Sequence, residues 1–562
     1  MTIPTVNDWR RRDRTRQMAA IAVAAVAVVG ILSATSAPLR GRFKVVLEIV
    51  PFHATRGAAT TLVLASFALL LTARGLRRGG RLAWAGTLAL LVLSVGLNLA
   101  KGLDIEEAVL ALGAGAWLAT RRRAFPVLPT RAAARMAAIL GVGGAAGALV
   151  FGVALSMAVG RRHHPHLGES TRAVAERLGG NWALPLPGAG PFVTPMLVAV
   201  GIGLVGSTLW LLLSPRPGRR LSAPAHLAER ERARRVVAAH GGGTLDYFAL
   251  RDDKDWFFYG ESVVAHSVRR GVCLVSPDPI GPDAERAAAL AAFLAFTQRE
   301  GWSVAVIGAS AAWLPLYQAA GMRPLYMGDE AVVDCGPFTL EGPPMKSLRG
   351  AYARVERAGY TADFIDPADL TAEDRAALEA LTEASRHGEA ERGFSMTLSR
   401  LCDPHDEGLL LTVVRDAERT VQAFVQWMPA AKIGGWSLDV MRRNPSHDLP
   451  NGVMDFAIVA TILHLAPTGG GLGLNFAMFR EVVASESPSG MARLSKAALR
   501  AFSGKAQVES LWRFNSKYNP DWIPRYVVLD SLDLAVTQGF VMADAEGVTE
   551  LPLIGRFLGG TP

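Results

Sequence analysis

Cysteine is scarce in this chain. Cys273, Cys335 and Cys402 stand far apart, with no pair at metal-ligand spacing. That excludes a disulfide scaffold and a thiolate-held metal, and it fits small core residues in a reducing compartment. Histidines are scattered, and the HHPH run at 163–166 falls on the side of the apolar blocks away from the arginine-rich segments, so no metal constellation is present. Phosphate-cradling glycine loops of P-loop or Rossmann spacing are missing, which leaves ATP and NAD without support. No G-x-S-x-G elbow occurs, so a serine nucleophile in that setting is excluded. Charge is thin as well: 19% of residues are charged, against 50% hydrophobic. In the apolar blocks of the first 215 residues ionisable groups are almost missing. Asp104, Glu106 and Glu107 lie near a block end and read as interfacial. A carboxylate or histidine at mid-membrane would mark an ion path, and its absence argues against a coupled transporter.

What is present begins with long apolar runs. Blocks at 18–37, 57–73, 82–100, 105–120, 136–159 and 192–214 mostly approach the ~20 residues that cross a bilayer, the fourth being short. The first is too long for a cleaved signal peptide, and another apolar block follows it. Closely spaced small residues in GVGGAAGALVFGVALSMAVG (141–160) suit tight helix packing. Arginines collect before the first block, between the second and third, between the fourth and fifth, and after the sixth. With about six spans these fall on one side, which places both termini and the soluble half in the cytoplasm. The formal charge of +9 and pI of about 9.7 favour anionic partners such as lipid head groups, nucleic acid or acidic metabolites.

The expected organisation is a basic N-terminus over 1–17, a membrane domain over 18–214, and a linker with a basic helix over 215–243. Two α+β units follow, at 244–344 and 345–562. LDYFAL, DWFFYG, SVVAHSV and GVCLVS read as short strands, AERAAALAAFLAFTQREG (284–301) as a helix and WSVAVIGA (302–309) as a buried strand. The pattern then recurs. MKSLRGAYARVERAGY (345–360) is a basic helix, 371–388 a helix opened by a capping box at Thr371–Asp374, and 408–430 a hairpin. SLDVMRR is a strand, NGVMDFAIVATILHL a helix and GLGLNFAMF a strand, with a helix, loop and strand over 498–530.

One stretch stands out. SLDVMRRNPSHDLPNGVMDF (437–456) puts Asp439 inside an apolar run, two arginines after it, and Asp455 inside the next apolar run. Buried charges are costly unless paired or used. Seven segments in order, YFALRDDKDWFFYG, GVCLVSPDPIGP, LRGAYARVERAGY, RGFSM, SLDVMRRNP, NGVMDF and FNSKYNPDWIPRYVV, make residues 225–535 resemble the C-terminal synthase domain of phosphatidylglycerol lysyltransferases. These are aminoacyl-phosphatidylglycerol synthases of the multiple-peptide-resistance-factor type.

The resemblance implies tandem acetyltransferase-like (GNAT-type) folds on the cytoplasmic face of a multi-pass membrane domain. It implies transfer of an aminoacyl group, lysyl first among the candidates, from aminoacyl-tRNA to phosphatidylglycerol, with lowered membrane negative charge and resistance to cationic peptides. Two departures stand out. The membrane region has fewer spans than larger members that also flip product, and no tRNA synthetase domain is visible. No pyrophosphate-cradling glycine signature for coenzyme A appears, and no cofactor is expected.

Direct transfer to a hydroxyl needs an ammonium pocket, a cationic groove and help with the hydroxyl proton. The catalytic candidates are Asp439, Arg442, Asp455 and Lys517, with Arg442 reaching a phosphate or Asp455. The plain alternative is a structural ion pair at a strand–helix junction. Substrate-binding candidates are Glu391, Arg392, Arg443, Trp512, Arg513, Tyr518, Trp522, Arg525 and Tyr526. Cations interleaved with aromatics around 512–526 suit a stackable anion such as a tRNA acceptor end, or else form a rigid proline-containing loop. Lys346, Arg349, Arg354 and Arg357 are the expected tRNA or head-group contacts, and His387 and His447 are loop histidines near the motifs. Two rival functions stay open: an acyl-coenzyme A-dependent N-acyltransferase, and a membrane-anchored lipid or tRNA binder without activity. Lysine, alanine and ornithine are not distinguished.

Overall fold

A computed structural model describes residues 6–35, 52–102, 105–159, 166–179, 193–386, 393–398, 400–445, 448–478 and 512–547. The chain forms two compact units. One comprises Asn7–Arg216 with Ala295–Trp302, and the other Pro217–Leu294 with the chain from Ser303 on.

The first unit is helical: α1 (Val6–Thr35), α2 (Phe52–Arg77), α3 (Arg81–Gly102), α4 (Ile105–Ala119), α5 (Arg131–Ala138), α6 (Gly144–Val159), α7 (Leu167–Leu178) and α8 (Val193–Leu213). A π-helical turn at Ile139–Gly143 joins α5 to α6. Among the described residues four stretches are long and apolar enough to cross a membrane: Val6–Ser33, Arg81–Leu99, Arg131–Ala158 and Val193–Leu213. Their outward faces carry exposed Val92, Val142, Val150 and Leu32, a surface suited to hydrocarbon rather than water. The protein is a membrane protein. Small residues let the helices approach closely, and a Cβ at Gly30 of α1 would lie 2.5 Å from Ser66 Oγ of α2. An ion pair of 2.6 Å, Arg77 to Asp13, ties the same two helices.

The second unit begins with α9 (Ala223–His240). Its strands are β1 (Asp255–Tyr259), β2 (Ser262–Arg269), β3 (Val272–Val275), β4 (Ser303–Ser310) and β5 (Arg323–Asp334), with α10 (Arg286–Glu300) and α11 (Leu314–Ala319) between them. Then come α12 (Lys346–Arg357), β6 (Thr361–Ile365), α13 (Ala372–Arg386), β7 (Leu410–Arg415), β8 (Val421–Ala430), β9 (Gly435–Arg443), α14 (Val453–Leu465), β10 (Gly471–Met478), β11 (Asp521–Leu529) and α15 (Ala535–Ala545). The eleven strands among the described residues form one sheet in the order β1-β2-β3-β4-β11-β5-β10-β9-β8-β7-β6.

Each half of the sheet repeats one plan: an antiparallel meander, a helix, then a parallel return strand. β3 pairs β4 in parallel and β9 pairs β10 in parallel, as helical crossovers require. This is the α+β arrangement that the resemblance implies. The halves are stitched by exchange. β11, late in the sequence, lies antiparallel to both β4 and β5 of the first half, and β5 pairs β10 of the second.

LDYFAL departs from the expected strand and is a 3-10 helix over Asp246–Leu250. Tyr247 to Leu250 are all buried in succession, so the period-2 alternation of a half-exposed strand is missing. The Asp246 carboxylate also accepts the Gly243 N–H at 2.8 Å, which turns the chain at that point. Between Asp455 in its first turn and the exposed Leu463 and His464 near its end, α14 is apolar nearly all round and packs on Val425, Trp427, Leu472 and Tyr518, as a helix with little polar face does. α12 instead buries Leu348, Ala351 and Val355 and leaves its cations exposed.

Candidate functional site

β9 and β10 run side by side for two residue pairs only, Leu472 with Trp436 and Gly473 with Ser437. Beyond that point β10 bulges. The Leu474 carbonyl is met by Asn515 Nδ2 at 3.4 Å, so a buried acceptor is satisfied from a later segment. Asn515 belongs to one helical turn, residues 512–516, followed by a tight turn in which the Tyr518 N–H reaches the Asn515 carbonyl at 3.1 Å. This turn delivers Lys517 and Tyr518 to α14.

α14 opens at Gly452 with φ +99°, a left-handed conformation that favours glycine. A Cβ there would also stand 2.7 Å from Ala351 Cβ of α12. Asp455 lies in the first turn, where the helix dipole favours a carboxylate. Lys517 Nζ donates to both of its oxygens, at 3.1 and 3.0 Å, and the Tyr518 hydroxyl donates to Oδ1 at 2.8 Å. Burial and then the Asp455 charge push the Tyr518 phenol well above its usual range, so it remains a donor at neutral pH. The Lys517 side chain keeps 35% of its surface exposed, against 13% for Asp455. Lys517 Nζ also stands 4.9 Å from the Phe514 ring centroid. The three groups therefore present one partly open ammonium on a rigid, buried base.

Asp439 sits in a separate network. Its Oδ1 accepts the Leu398 N–H at 2.8 Å and its Oδ2 accepts Gln426 Nε2 at 2.7 Å. Gln426 Oε1 in turn accepts the Cys402 N–H at 2.9 Å. Asp439 thus clamps the segment after residue 393 onto the sheet. Arg442 Nη1 donates to the Met441 carbonyl at 3.0 Å. Asp455 is engaged by Lys517 and Tyr518, which the 512–518 turn brings to the helix end, and not by Arg442.

Arg525 is committed too. Its Nε and Nη2 reach Glu330 Oε2 at 2.9 and 2.6 Å, and Nη2 reaches Thr244 Oγ1 at 3.0 Å. Glu330 is fully buried, so this pair neutralises a charge at the seam between the two halves. Tyr526 meets Tyr326 edge to face at 6.3 Å, and Trp522 packs on the core around α14. Trp512 and Arg513 are exposed on the helical turn, and Arg443 is exposed at the end of β9. Lys346, Arg349, Arg354 and Arg357 share the exposed side of α12. Arg354 Nη1 donates to the Asn451 carbonyl at 2.7 Å, bracing the loop into α14. Glu391, Arg392, His387 and His447 lie outside the described residues.

Sequence reasoning did not single out Asn515, Gln426, Glu330 or Lys254. Glu330 had a signal, since GDEAVVD places adjacent acids in an apolar strand. Lys254 had none, hidden as it is among Asp252, Asp253 and Asp255. Yet Lys254 is buried, donates to the Phe248 and Ser276 carbonyls at 2.9 and 2.7 Å, and lies 4.5 Å from the Phe394 ring. Burial lowers its pKa to about 7. The three thiols are buried, and burial pushes Cys335 and Cys402 up to about 12, which leaves them inert. Among the described residues no group of histidine, cysteine and carboxylate side chains could hold a metal.

Residues 234–529 match the family model described as phosphatidylglycerol lysyltransferase, C-terminal. The chain belongs to this family. It is 32% identical over 574 residues to the lysylphosphatidylglycerol biosynthesis bifunctional protein LysX of Mycobacterium ulcerans, covering 97% of this chain and 51% of that protein. Against the LysX of Mycobacterium avium it is 36% identical over 362 residues, 63% of this chain and 30% of the relative. The chain therefore spans about half the length, or less, of these curated relatives. Among solved structures, L-PGS from Bacillus licheniformis aligns with 22% identity and a TM-score of 0.49, over 56% of this chain and 96% of that one. The lysyltransferase match spans both halves of the sheet and includes Asp439, Asp455, Lys517 and Arg525.

Proposed function

We propose that this membrane protein transfers an aminoacyl group, lysyl first among the candidates, from aminoacyl-tRNA to a glycerol hydroxyl of phosphatidylglycerol. The observation that carries the reading is the Asp455–Lys517–Tyr518 cluster at the start of α14, beside the point where β9 and β10 part. The exposed cations of α12 and the exposed Trp512 and Arg513 supply a basic, partly aromatic surface for a polyanion.

The reaction is direct. The acceptor hydroxyl attacks the ester carbonyl carbon and a new lipid ester C–O bond forms. The bond to the tRNA ribose oxygen breaks, and the hydroxyl proton ends on that oxygen. Lys517, held by Asp455 in a fixed direction, stabilises the negative charge that develops on the carbonyl oxygen. Tyr518 holds Asp455 from the buried side, so the ammonium does not have to reorganise during reaction. Asp439 is a positioning residue, acting through Gln426 and the segment after residue 393.

An acyl-coenzyme A donor fits this geometry less well. A pyrophosphate would favour an open helix N-terminus, and that of α14 already carries a carboxylate with two donors and abuts Ala351. The arginine distribution supports about six spans with both termini and the soluble half on the cytoplasmic side. The product would lower the membrane's negative charge and so weaken binding of cationic peptides.

The test uses isolated membranes supplied with tRNA charged with radiolabelled amino acid. Label should enter the lipid fraction, and ribonuclease treatment of the donor should abolish it. Lys517→Ala should lower the rate on the order of 10²–10³-fold with the chain still folded. Label transfer from an acyl-coenzyme A instead, or a rate untouched by Lys517→Ala, would refute the reading.

A further inference from the structure

The arginines at the end of α2 differ in what they hold. Arg77 pairs with Asp13 of α1 at 2.6 Å, and Arg216, just past α8, pairs with Glu300 at 2.9 Å. Arg74 in the last turn of α2 and Arg78 just past its end turn instead to α8. The helices around them, α2, α3 and α8, contain no acidic residue. Arg74 Cζ stands 4.8 Å from the ring centroid of Trp210. Stacking occupies the face of a guanidinium and leaves its N–H edge for an acceptor. Arg78 Nη1 donates to the carbonyl of Leu213, the last residue of α8, at 3.3 Å, which uses one of its five N–H donors. Burial, and then the charge of Arg74, lower the Arg78 pKa to about 10. The two like charges, one helical turn apart, repel each other.

Two guanidiniums on one strip of α8 that repel each other are complementary to one anion between them, and their planar forks suit a phosphate. The surroundings make it the phosphate of a lipid. Trp210 is 54% exposed in the last turn of a stretch long and apolar enough to cross a membrane, the level at which tryptophan marks the bilayer surface. Ala199, Gly203 and Gly206 continue the Trp210 face of α8 at helical spacing. A Cβ at either glycine would meet nothing within 4 Å, so a shallow furrow with room for an acyl chain runs from the arginines along the helix. Glu300, in the cleft beside Arg78, is already held by Arg216. A zwitterionic head group would bring an ammonium against two arginines, so the fit is to a lipid of net negative charge.

We propose that Arg74, Arg78 and Trp210 form a binding site for the phosphate of one anionic phospholipid, with the furrow of α8 taking an acyl chain. The inference does not depend on the transferase reading.

The full chain, purified in a neutral detergent, is unfolded thermally at increasing concentrations of dioleoyl phosphatidic acid. This lipid has no head-group hydroxyl to receive an aminoacyl group, so the result stands apart from the transferase reading. Binding to the folded state raises Tm with ligand concentration. The wild type should show this rise, and Arg74→Gln and Arg78→Gln should each need at least tenfold more lipid for the same shift. Arg78→Lys, which keeps the charge, should recover part of the response. Arg74 is exposed, so its variant reads the site even where Arg78→Gln fails to fold. Arg81→Gln, whose arginine stacks on Trp84 instead, should respond as wild type. Dioleoyl phosphatidylcholine should need at least tenfold more than phosphatidic acid. Inorganic phosphate acting at the same concentration as the lipid would assign a free anion and overturn the lipid. No response to phosphatidic acid, an equal response to phosphatidylcholine, or an undiminished response in both glutamine variants would overturn the site.

Discussion

Lys254 shows how far a single buried residue departs from what its neighbours in sequence advertise. Its folded pKa, about 7, lies below the ordinary lysine value of 10.5 because burial opposes the charge. Between those two values the unfolded chain holds a proton that the folded chain does not, so stability rises with pH across that window. Relative to Lys254→Met, the wild type should therefore strengthen by up to about 1.4 kcal/mol per pH unit from about pH 7 upward. Stepped-pH unfolding of both chains, followed by tryptophan fluorescence, reads this directly, and parallel profiles would disprove it. Glu330 is the opposite case, a buried acid whose partner is present. Glu330→Ala should cost about 3–5 kcal/mol by stranding Arg525, and the double change Glu330→Met with Arg525→Leu should cost less. A double variant as weak as the sum of two single losses would contradict the pairing. Asp439, by contrast, was visible in the sequence as a carboxylate in an apolar run. What it binds was not visible, because Leu398, Gln426 and Cys402 are distant in sequence and meet it only after the sheet forms.

The element that matters most is α14 with the turn at 512–518. NGVMDF announced the helix, since Asn-Gly ends the loop and an acid sits in the first turn. That Lys517 and Tyr518 would cap it was legible only as a motif in order. The contact depends on β10 leaving β9 and on Asn515 filling the gap, and neither has a signature in periodicity. Gly452→Ala should disturb this element twice, by a left-handed φ and by the approach of Ala351. A cost of roughly 1–3 kcal/mol is expected, with transfer activity reduced through a shifted Asp455. Unchanged stability and activity would show that the helix start tolerates movement. Asp439→Asn keeps an acceptor for Leu398 but turns an N–H toward Gln426 Nε2. The segment 393–406 should then be cut faster by protease, while the rest of the sheet remains protected. The LDYFAL stretch marks the limit of pattern reading: consecutive burial in a 3-10 turn looks like a strand in one dimension.

For the whole molecule, the apolar runs were the plainest feature of the sequence, and the four stretches among the described residues long and apolar enough to cross a membrane lie where four of those runs lie. The α+β class followed from strands alternating with helices. The single sheet did not, because a strand-by-strand reading gives each half its own edge. β11 closes that edge by pairing with β4 and β5 along their length, so the late segment of the chain is required by its early half. On the proposed reading, the shared sheet supports the ammonium at the head of α14, and that ammonium acts on a lipid and a charged donor.

The most direct measurement is the lipid composition of cells making the full chain, compared at equal expression with cells making Lys517→Ala. Mass spectrometry should find a phosphatidylglycerol heavier by one aminoacyl residue with the wild type, and its mass names the amino acid. That species should fall on the order of 10²–10³-fold with Lys517→Ala. Its absence from well-expressed wild-type membranes, or its persistence undiminished in the variant, would contradict the account.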